Sequence, residues 1–218
     1  QPNVYLSMGL TAENVAKKYN LSRKEQQEFA INSHVNAAKA QLSKSFDKEI
    51  TIIKKDNIEV KSDGGIRPNT SQEILNNLKL VFDEKGTITA GTASPLTDGA
   101  AATLVCEEEY AKAHRLPIIA RIKSTAIQGC PPELMGLGPI NASKKALKRA
   151  NLEIKDINIV ELNEAFASQS IACIKELKIN PEIVNIEGGA IALGHPLGAT
   201  GIRITAKAAS LMIKHNKK

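Results

Sequence analysis

The stretch INIVELNEAFASQSIACIKEL, residues 157–177, decides the fold. Its apolar start, residues 157–162, has the length and the β-branched content of a buried strand, and residues 164–177 are predicted to form a helix. The same order recurs around it, with strands predicted at 118–125 and 183–187 and helices at 143–150 and 198–214. Strands that alternate with helices are typical of parallel βαβ units. The sequence therefore predicts an α/β fold with a parallel-rich sheet.

The first half of the chain carries helix signals followed by strand signals. Ser22 and Glu25 form a capping box, which predicts a helix from there to about Leu42. Further predicted elements are a hairpin with strands at 49–54 and 58–61, a short helix capped by Thr70 and Glu73, strands at 87–90 and 100–106, and a domain junction at Leu116 and Pro117. This half is thus predicted to be a mixed α+β region.

The composition excludes several classes of protein. Hydrophobic residues make up 42% of the 218 residues, enough for a sizeable core, and aromatic residues only 3%, so that core is aliphatic. Scarce aromatics disfavour single-stranded nucleic-acid binding on stacking platforms. The net charge of +6 comes from lysines and arginines interleaved with acidic residues, which indicates a solvated surface rather than a nucleic-acid interface. No apolar run approaches the length of a membrane span.

Cysteine and histidine positions favour neither disulfides nor metal. The three cysteines, Cys106, Cys130 and Cys173, are far apart and odd in number, which predicts free thiols and a reducing compartment. None lies in a glycine-rich elbow, and Cys106 and Cys173 are predicted to pack rather than to act as nucleophiles. The four histidines show no zinc-ligand spacing, so no metal site is predicted.

The loop GGAIALGHPLGATG, residues 188–201, contains five glycines and one titratable side chain, His195. The small residues let a ligand approach the backbone closely, and the helix start that follows favours negative charge. Held between Gly194 and Pro196, His195 suits an oriented donor or base. The spacing fits neither a P-loop nor a dinucleotide fingerprint. Taken alone, the loop is equally compatible with a tight structural turn around a hydrogen-bonded histidine.

Asn163 follows the strand at 157–162 in the same way, directly before Glu164. A primary amide at a strand end can hold a water or an oxyanion, although an ordinary helix N-cap is an alternative for Asn163. Glu164 is predicted to cap the helix start. In α/β sheets, ligands bind at the carboxyl ends of strands. Loops on successive strands should therefore open onto one crevice, where Asn163 and His195 are predicted to stabilise an oxyanion.

With these motifs in hand, the chain resembles the thiolase family over essentially its whole length. The stretch 163–167 and the loop 188–201 match two signature blocks of the family in type, order and spacing, and further matches lie at 8–14, 86–91, 94–102 and 135–139. The resemblance implies a partial thiolase-like fold. Residues 1–94 would be most of the loop domain that covers coenzyme A, residues 95–116 a strand and helix returning to the N-terminal half, and residues 117–218 a truncated C-terminal half.

The resemblance also implies roles for single residues. His195 would be the catalytic histidine and Asn163 the holder of a water that completes an oxyanion hole. The residues implied to contact coenzyme A or line the acyl pocket are Arg67, Ser94, Met135, Ala165, Phe166 and Gly194. No residue here matches the nucleophilic cysteine or the second catalytic cysteine of the family. The chain is therefore expected to be an internal fragment that does not cleave acetoacetyl-CoA alone, with strand 100–106 presenting an apolar edge.

The implied activity is acyl transfer among acyl-CoA, acetyl-CoA and CoA, with coenzyme A as substrate and without a resident cofactor. Features at 65–68, 94–95, 129–132 and 167–169, and Ser7 where many acetoacetyl-specific members carry histidine, favour the degradative branch. The alternatives are an acetoacetyl-CoA thiolase of biosynthetic type and a non-catalytic, thiolase-like acyl-CoA or lipid-binding protein. The full-length protein is expected to be a homodimer or homotetramer. The compartment stays open among cytoplasm, mitochondrion and peroxisome.

Overall fold

The computed structural model describes residues 2–217. Eight α-helices and one two-stranded antiparallel hairpin are present in this range. The elements, in chain order, are α1 Met8–Lys18, α2 Arg23–Leu42, β1 Ile53–Lys55, β2 Ile58–Val60, α3 Gln72–Asn76, α4 Glu108–Ala113, α5 Gly138–Ala150, α6 Ala167–Leu177, α7 Ala190–Leu193 and α8 Thr200–Lys214. Short 3₁₀ segments lie at Pro2–Tyr5, Ala90–Thr92, Pro132–Leu137, Ile154–Asp156 and Pro181–Ile183. Across residues 2–217, no helix combines the length and the apolar character needed to cross a bilayer.

The helix α2 begins where its capping box predicts, and it ends at Leu42 as expected. The Ser22 hydroxyl accepts a hydrogen bond from the Glu25 N–H, and the Glu25 carboxylate accepts one from the Ser22 N–H. Both bonds satisfy backbone donors that a helix start leaves free. The buried face of α2 contains the small residues Ala30, Ser33 and Ala37, so other segments can approach its backbone closely at these positions.

The hairpin prediction is confirmed, although its strands are shorter than predicted. Ile53 pairs with Val60, and the turn residue Asp56 has a positive φ of 52°, which Asn and Asp tolerate better than other non-glycine residues. The prediction that Thr70 caps the following helix is wrong. Ser71 is the N-cap of α3, and Thr70 instead donates its hydroxyl to the carbonyl of Arg67.

Helix α6 is the centre of the core. Its buried residues Cys173, Ile174 and Leu177 pack with Ile140 of α5 and Val184. The opposite side of α6 packs on α1 and α2. Three predicted helices begin at other residues than expected: α5 at Gly138, α6 at Ala167 and α8 at Thr200. In α5, Pro139 occupies the first turn, where a missing N–H costs nothing. The segment 135–139 spans the end of the 3₁₀ segment Pro132–Leu137 and the start of α5.

Parallel pairing is present, but it is short. Val160 and Val184 form one parallel bridge, with Val160 N–H bonded to the Ile183 carbonyl and Asn185 N–H to the Val160 carbonyl, each at 2.9 Å. The longer strands predicted at 157–162 and 183–187 therefore meet at this bridge. The strand predicted at 87–90 is reduced to one antiparallel bridge between Leu80 and Thr89.

Two strand predictions are wrong: within the described residues 2–217, the segments 100–106 and 118–125 do not form strands. Both segments lack strand pairing and are largely exposed, with Leu104 71% and Ile122 59% exposed. A strand exists only where a second backbone supplies the bonds of the ladder. Because no neighbouring strand lies beside these segments in the described range, their apolar, β-branched sequence does not produce strands.

Candidate active site

The two polar residues predicted at adjacent strand ends lie in contact. Nδ2 of Asn163 donates a hydrogen bond to Nε2 of His195 over 3.3 Å. The loops that carry them follow the segments joined by the parallel bridge between Val160 and Val184. The strand ends thus meet at one edge, as parallel pairing requires. The structure brings together two residues separated by 32 positions in the sequence.

The other ring nitrogen of His195 is held by the first residue of α8. Nδ1 lies 2.7 Å from the hydroxyl oxygen of Thr200, and this hydroxyl donates to the Pro196 carbonyl over 3.0 Å. Because a hydroxyl has one proton to donate, Nδ1 carries the ring proton and donates it to Thr200. The hydrogen-bond pattern therefore assigns the tautomer in which Nε2 is unprotonated and its lone pair accepts from Asn163 Nδ2.

The electrostatic surroundings keep His195 neutral. Burial lowers the pKa of His195, and the positive charge of Arg203 lowers that pKa further. The imidazole is therefore uncharged at pH 7. Such a ring can take a proton at Nε2 from an attacking group and, once charged, donate from the same atom to a developing oxyanion.

The amide of Asn163 has one free end. Its Oδ1 atom is buried and has no hydrogen-bond partner among residues 2–217. Such an atom is unusual, because a buried acceptor without a donor costs about 1–3 kcal/mol. Oδ1 can accept from a water that donates its second proton to an oxyanion, and Nδ2 is bonded to His195 as long as Nε2 is unprotonated.

A glycine lets a distant side chain fix the backbone of His195. Gly194 has a φ of +96°, and a Cβ atom there would lie 2.5 Å from Oγ1 of Thr97. This oxygen accepts the His195 N–H over 3.2 Å, and the Thr97 hydroxyl donates to the Pro95 carbonyl. Glycine at this position therefore allows both the positive φ and the close contact with Thr97. Sequence reasoning missed Thr97, since 98 positions separate it from His195.

A buried carboxylate ties the two loops to α2. Glu164 is 1% exposed. It accepts hydrogen bonds from Ser33 Oγ at 2.6 Å, Asn185 Nδ2 at 2.8 Å and Ile191 N–H at 3.1 Å. Burial raises the pKa of Glu164, and these donors oppose that rise. The prediction that Glu164 caps the next helix is wrong, because α6 begins at Ala167 without a side-chain cap.

Further charged side chains, several of them buried, lie on the strand segments and on α8. Lys207 is 5% exposed and forms ion pairs with Glu187 at 2.6 Å and Glu49 at 2.8 Å. Burial raises the pKa of Glu187, but hydrogen bonds from Lys207 and a second lysine outweigh burial and lower it to about 2. By contrast, burial raises the pKa of Glu161 to about 8. The cluster thus combines ionised and protonated carboxyls at pH 7.

Ser94 and the residues after Asn163 form a second contact between distant segments. Ala93 and Phe166 make an antiparallel bridge, and Ser94 donates both its N–H and its hydroxyl to the Ala165 carbonyl. The ring of Phe166 packs edge-on against Phe82, with 5.8 Å between the ring centres. Ser94, Ala165 and Phe166 are therefore next to the Asn163 loop.

Arg67 and Met135 lie outside this hydrogen-bonded group. Arg67 is exposed on the turn that follows the hairpin. Met135 is 43% exposed and lies on the 3₁₀ segment Pro132–Leu137, which packs on α1 and α6. Their roles toward coenzyme A and the acyl group stay predictions.

Cys173 is buried as predicted, whereas the prediction that Cys106 packs is wrong, because Cys106 is exposed. Burial raises the pKa of Cys173 to about 11, which leaves the thiol protonated. Cys106 is exposed and Cys130 half-buried, and no cysteine hydrogen-bonds to Asn163 or His195 within residues 2–217. Among these residues, no group of three or more histidine, cysteine or acidic side chains is arranged to hold a metal ion.

Family models match nearly the whole chain. The model described as "Thiolase, N-terminal domain" matches residues 3–109, and the one described as "Thiolase, C-terminal domain" matches residues 116–218. A 3-ketoacyl-CoA thiolase of Bacillus subtilis (strain 168) is 45% identical over 229 aligned positions, covering 99% of this chain and 59% of that protein.

Solved structures show the same fold. Human mitochondrial 3-ketoacyl-CoA thiolase in complex with CoA has a TM-score of 0.97 and 40% identity, covering 100% of this chain and 55% of that one. The Bacillus anthracis acetyl-CoA acetyltransferase has a TM-score of 0.94 and 39% identity, covering 98% and 55%. The chain spans about half the length of the relatives it matches. The predicted partial α/β thiolase fold is confirmed, and the chain belongs to the thiolase family.

Proposed function

We propose that this chain forms part of a thiolase, which moves acyl groups between coenzyme A thioesters and breaks or forms a C–C bond of a 3-ketoacyl-CoA. The observation that carries the proposal is the contact between Asn163 and His195, with Asn163 Oδ1 left without a donor. The B. subtilis relative is named a 3-ketoacyl-CoA thiolase, and the human one was crystallised with CoA. Both names support coenzyme A thioesters as substrates, and the proposal includes no resident cofactor.

The two residues divide the work at the thioester carbonyl. In the cleavage direction, a nucleophile loses its proton and attacks the 3-keto carbonyl, and the bond from this carbon to the α-carbon breaks. The acyl group stays on the nucleophile, and acetyl-CoA leaves as an enolate with the negative charge on its thioester oxygen. His195 accepts the proton at Nε2, where this proton takes the place of the hydrogen bond from Asn163 Nδ2, and then faces the oxyanion as a donor. Asn163 holds, through Oδ1, a water that donates to the same oxygen. Groups oriented in advance stabilise the transition state more than the substrate, which is the basis of catalysis.

The attacking group in this proposal is a cysteine that no residue of this chain matches. The family resemblance implies an acyl-cysteine intermediate, and the protonated, buried Cys173 is unsuited to form one. The proposal therefore keeps the prediction that the 218-residue chain does not turn over acetoacetyl-CoA alone.

The coenzyme A side of the site is assigned to the first half of the chain. Arg67 and Ser94 are proposed as contacts of coenzyme A, and residues 1–94 as the part that covers it. Residues 95–116 would link this part to a C-terminal half at 117–218. The proposed acyl-side residues are Met135, Ala165, Phe166 and Gly194. Because Ser94 and Ala165 are already bonded to each other, the two parts meet beside Asn163.

A degradative role is favoured over an acetoacetyl-specific one. The segments 65–68 and 129–132 and the residue Ser7 support this preference, as does the naming of the B. subtilis relative. The similar B. anthracis structure is of an acetyl-CoA acetyltransferase, so the biosynthetic type is the alternative. The homodimer or homotetramer expected of the full-length protein also remains part of the proposal.

The proposal is tested by comparing the binding of a thioester with that of free CoA. Titration calorimetry of the chain with acetoacetyl-CoA and with CoA is expected to show a tighter complex for the thioester. His195→Ala should weaken acetoacetyl-CoA binding about tenfold, the effect of one hydrogen bond, and leave CoA binding unchanged. Arg67→Ala should weaken both.

His114→Ala, at an exposed histidine on the C-cap of α4, is the matched control and should change neither affinity. Equal loss of both ligands in His195→Ala would contradict a role at the thioester carbonyl. Absence of binding to the unaltered chain would contradict the coenzyme A site.

A further inference from the structure

We propose that His34 is a positioning residue, which fixes the turn at residues 65–68 so that Arg67 is presented to a phosphate group of the ligand. This inference rests on the proposed function, because it deepens the role given there to Arg67. His34 lies on α2 and is 6% exposed. Nothing in the mechanism at the thioester end uses it.

His34 contacts the backbone of Arg67 directly. Its Nδ1 atom accepts the Arg67 N–H over 3.1 Å. An accepting Nδ1 requires the tautomer with the proton on Nε2, and hence a neutral ring. Burial lowers the pKa of His34, and the charge of Arg67 lowers it further. The ring therefore stays an acceptor at pH 7, and an imidazolium would lose this bond.

The carbonyl of Arg67 is held as well. It accepts the Thr70 N–H over 3.1 Å and the Thr70 hydroxyl over 2.8 Å. Both backbone polar groups of Arg67 are therefore bonded, one to α2 and one within the turn. A residue whose backbone is already fixed loses less conformational entropy when its side chain binds a ligand.

The guanidinium itself is free. Arg67 is exposed, and no carboxylate within residues 2–217 lies close enough to form an ion pair with it. Other exposed basic side chains, such as Lys112 and Lys175, do have such partners. A planar guanidinium matches phosphate with two parallel hydrogen bonds. The backbone is thus fixed, while the charged group stays available.

The turn also lies against the loop that carries His195. A Cβ atom on Gly65 would lie 2.8 Å from the carbonyl oxygen of Ala192. Glycine therefore allows the two backbones to touch. Because Ala192 is three residues before His195, His34 holds the turn next to the thioester site. An extended ligand with a phosphate at one end and a thioester at the other can span the two.

Two substitutions separate the hydrogen bond from simple filling of space. In His34→Asn, the side-chain oxygen can occupy the position of Nδ1 and accept the Arg67 N–H. In His34→Gln, the amide reaches the position of Nε2 instead, so the acceptor is lost at similar volume. The two readouts are hydrogen exchange of the Arg67 amide by NMR and the affinities for CoA and for pantetheine, which lacks the nucleotide phosphates.

The expected result is an Arg67 amide that exchanges about tenfold faster in His34→Gln, with CoA binding weakened about tenfold and pantetheine binding unchanged. His34→Asn should stay within about twofold of the unaltered chain in each measurement. Unchanged CoA affinity in His34→Gln overturns the inference and leaves the proposed function standing. Equal loss of CoA and pantetheine also overturns it, because a general structural effect would then explain both.

If the unaltered chain binds no CoA, the proposed function fails, and the presentation of Arg67 to phosphate fails with it. In that case, hydrogen exchange of the Arg67 amide still tests whether His34 orders the turn. Faster exchange in His34→Gln, restored in His34→Asn, supports His34 as the residue that orders the turn. Equal exchange in all three proteins overturns that part too.

Discussion

The loops around Asn163 and His195 differ sharply from the segments at 100–106 and 118–125. The loops have little regular secondary structure, yet their polar groups are bonded to α2, α8 and Thr97. The two segments have strand-like sequences, yet they are exposed and unpaired in the described range. The difference shows that order in this chain follows the availability of partners rather than the propensity of the segment itself.

The largest expected effect concerns the carboxylate that orders the loops. Glu164→Ala leaves three buried donors without an acceptor: the Ser33 hydroxyl, one N–H of the Asn185 amide and the Ile191 N–H. Buried donors that lose a charged partner cost about 3–5 kcal/mol in total, and the free energy of unfolding should fall by that amount. Urea unfolding followed by circular dichroism measures it.

Glu153→Ala is the matched control for this substitution. Glu153 is exposed, pairs with Lys155 and caps the short 3₁₀ segment Ile154–Asp156, so its loss should cost no more than about 1 kcal/mol. If both substitutions lowered the free energy of unfolding by a similar amount, burial would not distinguish the bonded loops from the exposed parts of the chain, and the contrast between them would fail.

The pH dependence of stability gives the next largest effect. Burial raises the pKa of Glu161 to about 8, above the unfolded value, so the folded state holds an extra proton between these two pKa values. Stability from this group is complete below the unfolded pKa of about 4.3 and is lost as pH rises toward 8. Between pH 5 and pH 8.5 the free energy of unfolding should fall by about 3 kcal/mol.

Glu161→Gln removes the titrating group at nearly equal volume. Urea unfolding of this variant should show a flatter profile between pH 5 and pH 8.5 than the unaltered chain does. Glu187 titrates in the opposite sense, because its pKa is held at about 2, and its contribution is lost only as pH falls below about 4.3. An unchanged slope above pH 5 in Glu161→Gln would assign the loss to other groups.

The contrast also explains which features the sequence could predict. The capping box at Ser22 and Glu25 depends on residues three positions apart, and the structure contains both of its hydrogen bonds. Asn163 and His195 were predictable as partners because parallel strands place their ends together. Local spacing could not predict Thr97 or the three donors to Glu164. Those contacts join positions up to 131 residues apart. Judged only by its neighbours in the sequence, Glu164 looks like a residue that caps the following helix.

The smallest expected effect on stability concerns the exposed segments. Ile122→Lys places a charge on a side chain that is 59% exposed and packs on no strand, so the free energy of unfolding should change by less than about 0.5 kcal/mol. A lysine at an unpaired apolar edge opposes edge-to-edge association. Light scattering should therefore show a larger monomeric fraction for this variant than for the unaltered chain.

Leu177→Lys provides the internal comparison. Leu177 is 7% exposed in the core around α6, and a buried, unpaired lysine should destabilise the chain by several kcal/mol, about ten times the effect at Ile122. If Ile122→Lys proved equally destabilising, residues 118–125 would have packing partners in solution. The apolar segments would then resemble the loops in being ordered by contacts, and exposure would no longer separate the two regions.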